Sequence, residues 1–223
     1  GGPINFEKDF TNNTPKLSTV SVDAQCQAML NAAPDVISSI MGLFPSSFVR
    51  ELKEREIKYF ATVTSVGEAV LAEEAGADAL VVQGSEAGGH LGNFSVDYGR
   101  SAGLMELLPT MSDAVTIPIV ATNSITDSKS VAAAIILGAS AVQIGTGLLK
   151  TREAAIPLAL ANALKNTRLE DAIVTKTFTG KPGRAIRNQY TNVASNSQNP
   201  LPAPFPIQRA LTENMRSRAA VEN

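Results

Sequence analysis

Ten consecutive residues, Gln83-Gly84-Ser85-Glu86-Ala87-Gly88-Gly89-His90-Leu91-Gly92, carry the chemistry most readily read from this chain. His90 is its only histidine. An imidazole takes or gives a proton near neutral pH, so it suits work as a general base or the orientation of an anionic substrate. Gly84, Gly88, Gly89 and Gly92 let the backbone approach a planar ligand closely and aim amide groups at it, which larger residues would block. Glu86 reads as an ordinary solvated loop carboxylate.

A second glycine turn is Gln143-Ile144-Gly145-Thr146-Gly147. Exposed amides there, with the Thr146 hydroxyl, form a cradle for a phosphate without needing a cation. Earlier in the chain, Ala121-Thr122-Asn123-Ser124-Ile125-Thr126 ends a Val- and Ile-rich run just before a helix start. Such a pair of loops matches the phosphate site of an eight-stranded parallel barrel, built by the turns after strands seven and eight.

These segments need elements to hold them. Short Val- and Ile-rich runs alternate with longer Ala-rich ones, which predicts parallel strands joined by crossover helices, an α/β fold. Expected strands are 3–6, 36–40, 59–63, 79–83, 117–121 and 141–144. The spacing of Ser65 and Glu68 predicts a capping box, with a helix over 66–75 closed by Gly76. Another helix is expected from Thr126 or Asp127 to Gly138. Gly76-Ala77-Asp78-Ala79 and Gly138-Ala139-Ser140-Ala141 form a weak internal repeat, each leading from a helix into a strand. Repeated βα units suit a (β/α)8 barrel or a doubly wound open sheet, and periodicity does not separate the two. A helix is also expected from about Arg152 to Asn166. Beyond it, a polar and proline-rich stretch and a last helix from Ile207 suggest an appendage over 166–223, packed on a barrel over 1–165.

The chain has 223 residues, 44% hydrophobic and 18% charged, enough apolar material for a sizeable core. The net charge of -2, with both signs interspersed, argues against a nucleic-acid partner. Cys26 is the only cysteine, which excludes an intrachain disulfide and a thiolate metal centre built from this chain alone. A reducing, cytoplasmic setting and no membrane span are expected. Met41, Leu43, Phe44 and Phe48 suit either a core or a subunit interface, so a monomer or a homodimer is expected.

The residues over about 34–153 resemble the nitronate monooxygenases, once called 2-nitropropane dioxygenases. The resemblance lies in Ala61-Thr62-Val63, Ala75-Gly76-Ala77-Asp78-Ala79, the segment from Gln83 to Gly92, Gly103-Leu104 to Pro109, Ile117-Pro118-Ile119-Val120-Ala121 and Gln143-Ile144-Gly145-Thr146. Its specific part is Glu86-Ala87-Gly88-Gly89-His90. Phe178-Thr179-Gly180-Lys181 with Arg184 resembles the family's tail, and Pro3-Ile4-Asn5-Phe6 its third strand. The resemblance implies a (β/α)8 barrel with FMN bound non-covalently and no metal. It places the FMN phosphate on Ser124, Gly145 and Thr146, and the ring near Gln83 and Gly88. Gly89, Gln143 and Ile144 belong to the same implied cofactor set. The implied reaction oxidises an alkyl nitronate, with molecular oxygen, to a carbonyl compound and nitrite. His90 would orient the nitronate or deprotonate a neutral nitroalkane.

Two departures accompany the likeness. Asn123-Ser124 stands where the family commonly has Gly-Gly, and no Ala-Pro-Met segment corresponds to the family's first strand. If 141–144 is strand eight, 3–6 is strand three, so an N-terminal portion bearing two further strands is expected to precede this sequence. The nearest rival is a flavin-dependent enoyl-acyl-carrier-protein reductase using NADH, whose motif usually has Ser where this chain has Ala87. A catalytically inactive phosphate-binding barrel is the reading from another class.

Overall fold

Among the described residues each parallel strand follows a helix, and two of those helices close on glycines that the sequence marks, Gly76 and Gly138. A computed structural model describes residues 21–95 and 102–221. The expected strand over 3–6 lies outside the described residues. Helix α1 (Val22–Ala32) precedes β1 (Val36–Ser39), then come α2 (Ser46–Glu54), β2 (Lys58–Val63), α3 (Val66–Glu74) and β3 (Ala79–Gln83). A two-residue strand β4 (Gly89–His90) follows, then α4 (Leu104–Ala114), β5 (Ile119–Thr122), α5 (Ser128–Ile136) and β6 (Ala141–Gln143). Strands β1, β2, β3, β5 and β6 lie side by side in that order, and every neighbouring pair is parallel. This order of successive βα units is that of a (β/α)8 barrel wall. Among the described residues the wall is an arc rather than a closed cylinder.

The register sets the geometry of one rim. Ser39 sits opposite Ala61, Val63 opposite Val82, Gln83 opposite Thr122, and Thr122 opposite Gln143. All the strands therefore end at one side, and the loops that follow them share a mouth. Helices α1 to α5 pack outside, enclosing Leu30, Leu52, Tyr59, Leu80, Leu108 and Met111, all fully buried. Phe48 belongs to this core, and Phe44 packs on it with ring centroids 4.9 Å from Phe48 and 5.4 Å from Tyr59. β3 is buried throughout, as a central parallel strand should be. β6, at one end of the arc, has exposed Ala141 and Gln143 instead.

The internal repeat is real backbone geometry. Gly76 and Gly138 both take positive φ, +90° and +105°. The following amides of Ala77 and Ala139 donate to Ala72 O and Ala134 O, each at 3.0 Å, which closes the two helices in the same way. Asp78 N then bonds Tyr59 O at 2.7 Å and Ser140 N bonds Ile119 O at 2.8 Å, which starts β3 and β6 against their neighbours.

Two expectations need correction. Ser65 Oγ accepts from Glu68 N at 3.3 Å, but the Glu68 carboxylate reaches Thr64 N at 2.7 Å instead of returning to Ser65. Its other oxygen accepts from Phe94 N at 2.8 Å, so Glu68 ties the loop after β3 to α3. The helix expected from Arg152 begins only after Pro157, as α6 (Leu158–Asn166), with short 3-10 turns at Thr146–Leu148 and Arg152–Ala154 before it. Proline fixes its own φ and lacks an amide, so it opens a helix readily and interrupts one badly.

The tail contains a hairpin that the polar composition hid. β7 (Ala172–Thr175) and β8 (Gly183–Ile186) pair antiparallel, and β8 continues onto β4, with Gly89 opposite Arg184 and His90 opposite Gly183. Helices α7 (Gln189–Ala194), α8 (Ile207–Leu211) and α9 (Glu213–Val221) complete the chain. Among the described residues no helix is long and apolar enough to cross a membrane.

Candidate functional site at the carboxyl rim

Gln83, the last residue of β3, organises the rim. Its side chain is buried, donates from Nε2 to His90 O at 3.2 Å and accepts Gly92 N at Oε1, 2.7 Å. The glycine-rich segment is thus pinned on either side of Leu91, directly after His90, by a strand end. On its far side the same segment is pinned by the β4–β8 ladder. His90 is half-buried, and its Nε2 lies 2.8 Å from Thr179 Oγ1. Burial, and then the positive charges of Lys181 and Arg209, hold the imidazole pKa below its usual value. The neutral, proton-accepting form is therefore favoured. Lys181 is placed by Met41, whose Sδ lies 2.9 Å from Nζ, and by the Phe205 ring, whose centroid is 5.0 Å away.

Glu86 is not simply solvated. Its carboxylate accepts Leu104 N at 3.2 Å, where α4 begins on Gly103, a residue without a capping side chain. A carboxylate suits the positive end of a helix dipole. Asn123 Nδ2 donates to the same carboxylate at 3.3 Å and to Gly84 O at 3.0 Å. The loop after β3 is thereby joined to the loop after β5.

The two cradle turns meet this loop. Asn123 and Ser124 both adopt positive φ, +118° and +49°, the conformation that a Gly-Gly pair takes without strain. The Asn123 side chain turns towards Gly84 and Glu86, while Ser124 is exposed at the rim. Thr122 Oγ1 donates to Gln143 O at 3.1 Å, aligning the two strand ends. A Cβ on Gly88 would collide with the Thr146 hydroxyl, so the imidazole loop and the turn after β6 are in contact. Gly145, Thr146 and Gly89 are exposed, and a Cβ on Gly145 or Gly89 would meet open space. Gln143 is exposed and Ile144 packs on the core. Among the described residues the amides of Ser124, Gly145 and Thr146 donate to no protein group. Three open amides on neighbouring turns fit an anionic phosphate, and the glycine surface beside Gln83 fits a flat ring.

Gln83, Gly88, Gly89, His90, Ser124, Gly145 and Thr146 thus share one mouth. Thr179, Lys181 and Arg184 join them from the tail. Arg184 donates to Ser85 O and Ala172 O, both at 3.2 Å, and its Nε is buried without a partner among the described residues. Phe178-Thr179-Gly180-Lys181 with Arg184 is legible as a tail motif; nothing local in it tells that it reaches a histidine 89 residues earlier. A cleft of about 330 Å³ beside β1, lined in part by Gln25, Ser39, Met41 and Phe44, adjoins Lys181 through Met41. Another, of about 270 Å³, lies by Thr116, Pro118 and Ser140, at the amino ends of β5 and β6 and away from these loops.

Comparison with known proteins agrees with this architecture. The family model for nitronate monooxygenase matches residues 4–223. The chain belongs to the nitronate monooxygenase family. It is 40% identical over 181 residues to the "Probable nitronate monooxygenase" of Staphylococcus aureus (strain MSSA476), covering 80% of this chain and 51% of that protein. With that of Staphylococcus saprophyticus subsp. saprophyticus it shares 38% identity over 220 residues, 97% of this chain and 61% of the relative. The chain therefore spans about half to three-fifths of the length of these family members. The structure of nitroalkane oxidase from Streptomyces ansochromogenes superposes with a TM-score of 0.82 at 34% identity, covering 89% of this chain and 57% of that one. The family match reaches past Glu153 and takes in the tail that carries Thr179, Lys181 and Arg184.

Proposed function

We propose that this chain serves FMN-dependent oxidation of alkyl nitronates by molecular oxygen, yielding a carbonyl compound and nitrite. The observation that carries the proposal is the meeting of the His90 loop with the Ser124 and Gly145-Thr146 turns at the carboxyl ends of parallel strands. In barrels of this class that rim is where chemistry is done. When bound, FMN supplies the electron acceptor and the path to oxygen. The amides of Ser124, Gly145 and Thr146 would hold its phosphate, and Gln83, Gly88 and Gly89 would lie along its ring. Gln143 and Ile144 would bring the phosphate turn into place through their backbone.

His90 handles the substrate. With a preformed nitronate the protonated ring orients the anion; with a neutral nitroalkane the neutral ring first accepts the α-proton. Burial first, and then the charges of Lys181 and Arg209, lower the imidazole pKa and favour its neutral, proton-accepting form.

Purified protein supplied with FMN should quench flavin fluorescence and release nitrite from a nitroalkane or its nitronate in air. In His90→Asn, turnover of the neutral nitroalkane should fall by about a hundredfold or more, within the usual contribution of a general base, and by less on the preformed nitronate. Equal losses on both substrates would leave His90 a positioning role only. Rapid reduction of the bound flavin by NADH, without nitrite from a nitronate, would favour the enoyl reductase. A protein that takes up no flavin would favour an inactive anion-binding barrel.

A further inference from the structure

We propose that the Thr179 hydroxyl fixes the tautomer of His90, so that Nε2 carries the ring proton and Nδ1 presents the lone pair that receives the substrate's proton. This rests on the reading of His90 as the base. Thr179 Oγ1 lies 2.8 Å from His90 Nε2, accepts from Lys181 N at 3.3 Å, and is placed to donate to Lys181 O at 3.3 Å. A threonine hydroxyl has one proton and two lone pairs. If Nε2 donates, all three contacts are satisfied together: two donors point in and one proton points out.

In the opposite arrangement the hydroxyl proton goes to Nε2 and Lys181 O loses its donor. The neutral ring must then keep its own proton on Nδ1, which has no acceptor among the described residues. The decisive loss is at Lys181 O, which receives no other donor among the described residues once the Thr179 hydroxyl turns to the ring. The charged groups acting on the ring are Lys181 and Arg209, both cations with no lone pair to offer that proton.

The Thr179 side chain is also held firmly enough to choose. Gly180 has φ +83°, and a Cβ there would run into the backbone of Ala203, Pro204 and Phe205, so the Thr179-Gly180-Lys181 turn is pressed against the tail. From the other direction the ring is fixed by the β4–β8 ladder and by Gln83 on the His90 carbonyl. Thr179 is a positioning residue, acting through His90. With a neutral nitroalkane the α C–H bond breaks, its proton forms the Nδ1–H bond, and the electron pair moves into the nitro group to give the nitronate. The imidazolium so formed keeps its Nε2 proton on Thr179 Oγ1.

Because His90 is the only histidine in the chain, labelling with 15N-histidine gives one imidazole to read. Above the titration range, a protonated, pyrrole-like Nε2 and an unprotonated, pyridine-like Nδ1 are expected. Thr179→Val should draw the two nitrogen shifts towards each other as the tautomers mix, and Thr179→Ser should keep the original pattern. Thr179→Val should also lower kcat/KM for a neutral nitroalkane about tenfold, the effect of losing one hydrogen bond to a group that becomes charged. Thr179→Ser should restore it. A pyrrole-like Nδ1 in the unsubstituted protein, or a pattern unchanged by Thr179→Val, would overturn the inference. If Thr179→Val does not fold, the spectra of the unsubstituted protein and Thr179→Ser decide it alone. A protonated Nε2 in a protein that releases no nitrite would overturn the proposed reaction while supporting this hydrogen bond.

Discussion

His90 is surrounded by cations rather than carboxylates, and this sets the sign of its pH dependence. Burial, Lys181 and Arg209 all lower its pKa, so its neutral form persists below the usual histidine range. Turnover of a neutral nitroalkane should hold up into mildly acidic solution, then fall as the pH drops through the lowered value. Lys181→Gln removes one of those charges and should move the acid limb of the kcat/KM profile to higher pH. An acid limb that stays in place would show that Lys181 does not act on the ring. The motif around His90 was legible because glycine clusters and a lone imidazole advertise themselves in one dimension. Glu86 escapes a local reading for a physical reason: it is solvated or capped according to whether a helix start lies opposite, and Leu104 is 18 residues away.

Between elements, Asp78 does at the amino ends of the strands what Gln83 does at the carboxyl ends. Its Oδ2 accepts Tyr59 N at 2.7 Å and pairs with Lys53 Nζ at 2.7 Å, fastening β3 to β2 and α2. Burial raises its pKa, but the bonds from Lys53 and Tyr59 and the charges of Lys53 and Lys58 outweigh that, so the net shift is downward. A depressed carboxylate contributes stability that is fully present above its unfolded pKa and lost as pH falls through the folded value. Asp78→Asn should therefore cost about 1–3 kcal/mol at neutral pH, as for a part-buried charged hydrogen bond. The difference should close in acid, as measured by urea unfolding. A cost that did not vary with pH would mean that the charge contributes nothing. The parallel strands and their two matching helix closures were readable from Val-rich runs and from Gly76 and Gly138, because such signals are local. The β7–β8 hairpin was not: its strands are short, flanked by polar turns, and stabilised through β4, a partner that no local pattern names.

Across the whole molecule, the two ends of the arc expose apolar side chains. Val36 and Ile40 do so near β1, Ile136, on the helix that packs on β6, is 83% exposed, and Leu158, at the start of α6, is 70% exposed. Exposed apolar surface of this kind favours association. The purified chain should sediment as a concentration-dependent mixture, and Ile136→Lys with Leu158→Lys should shift it towards the smallest species. Identical sedimentation before and after would clear those side chains of any contact role. The sheet order itself matters for synthesis too. Thr179 is added 89 residues after His90, whereas the last parallel strand ends at Gln143. Domains begin folding while still attached to the ribosome. Translation therefore completes the scaffold first, and the base acquires its hydroxyl partner only when the tail emerges.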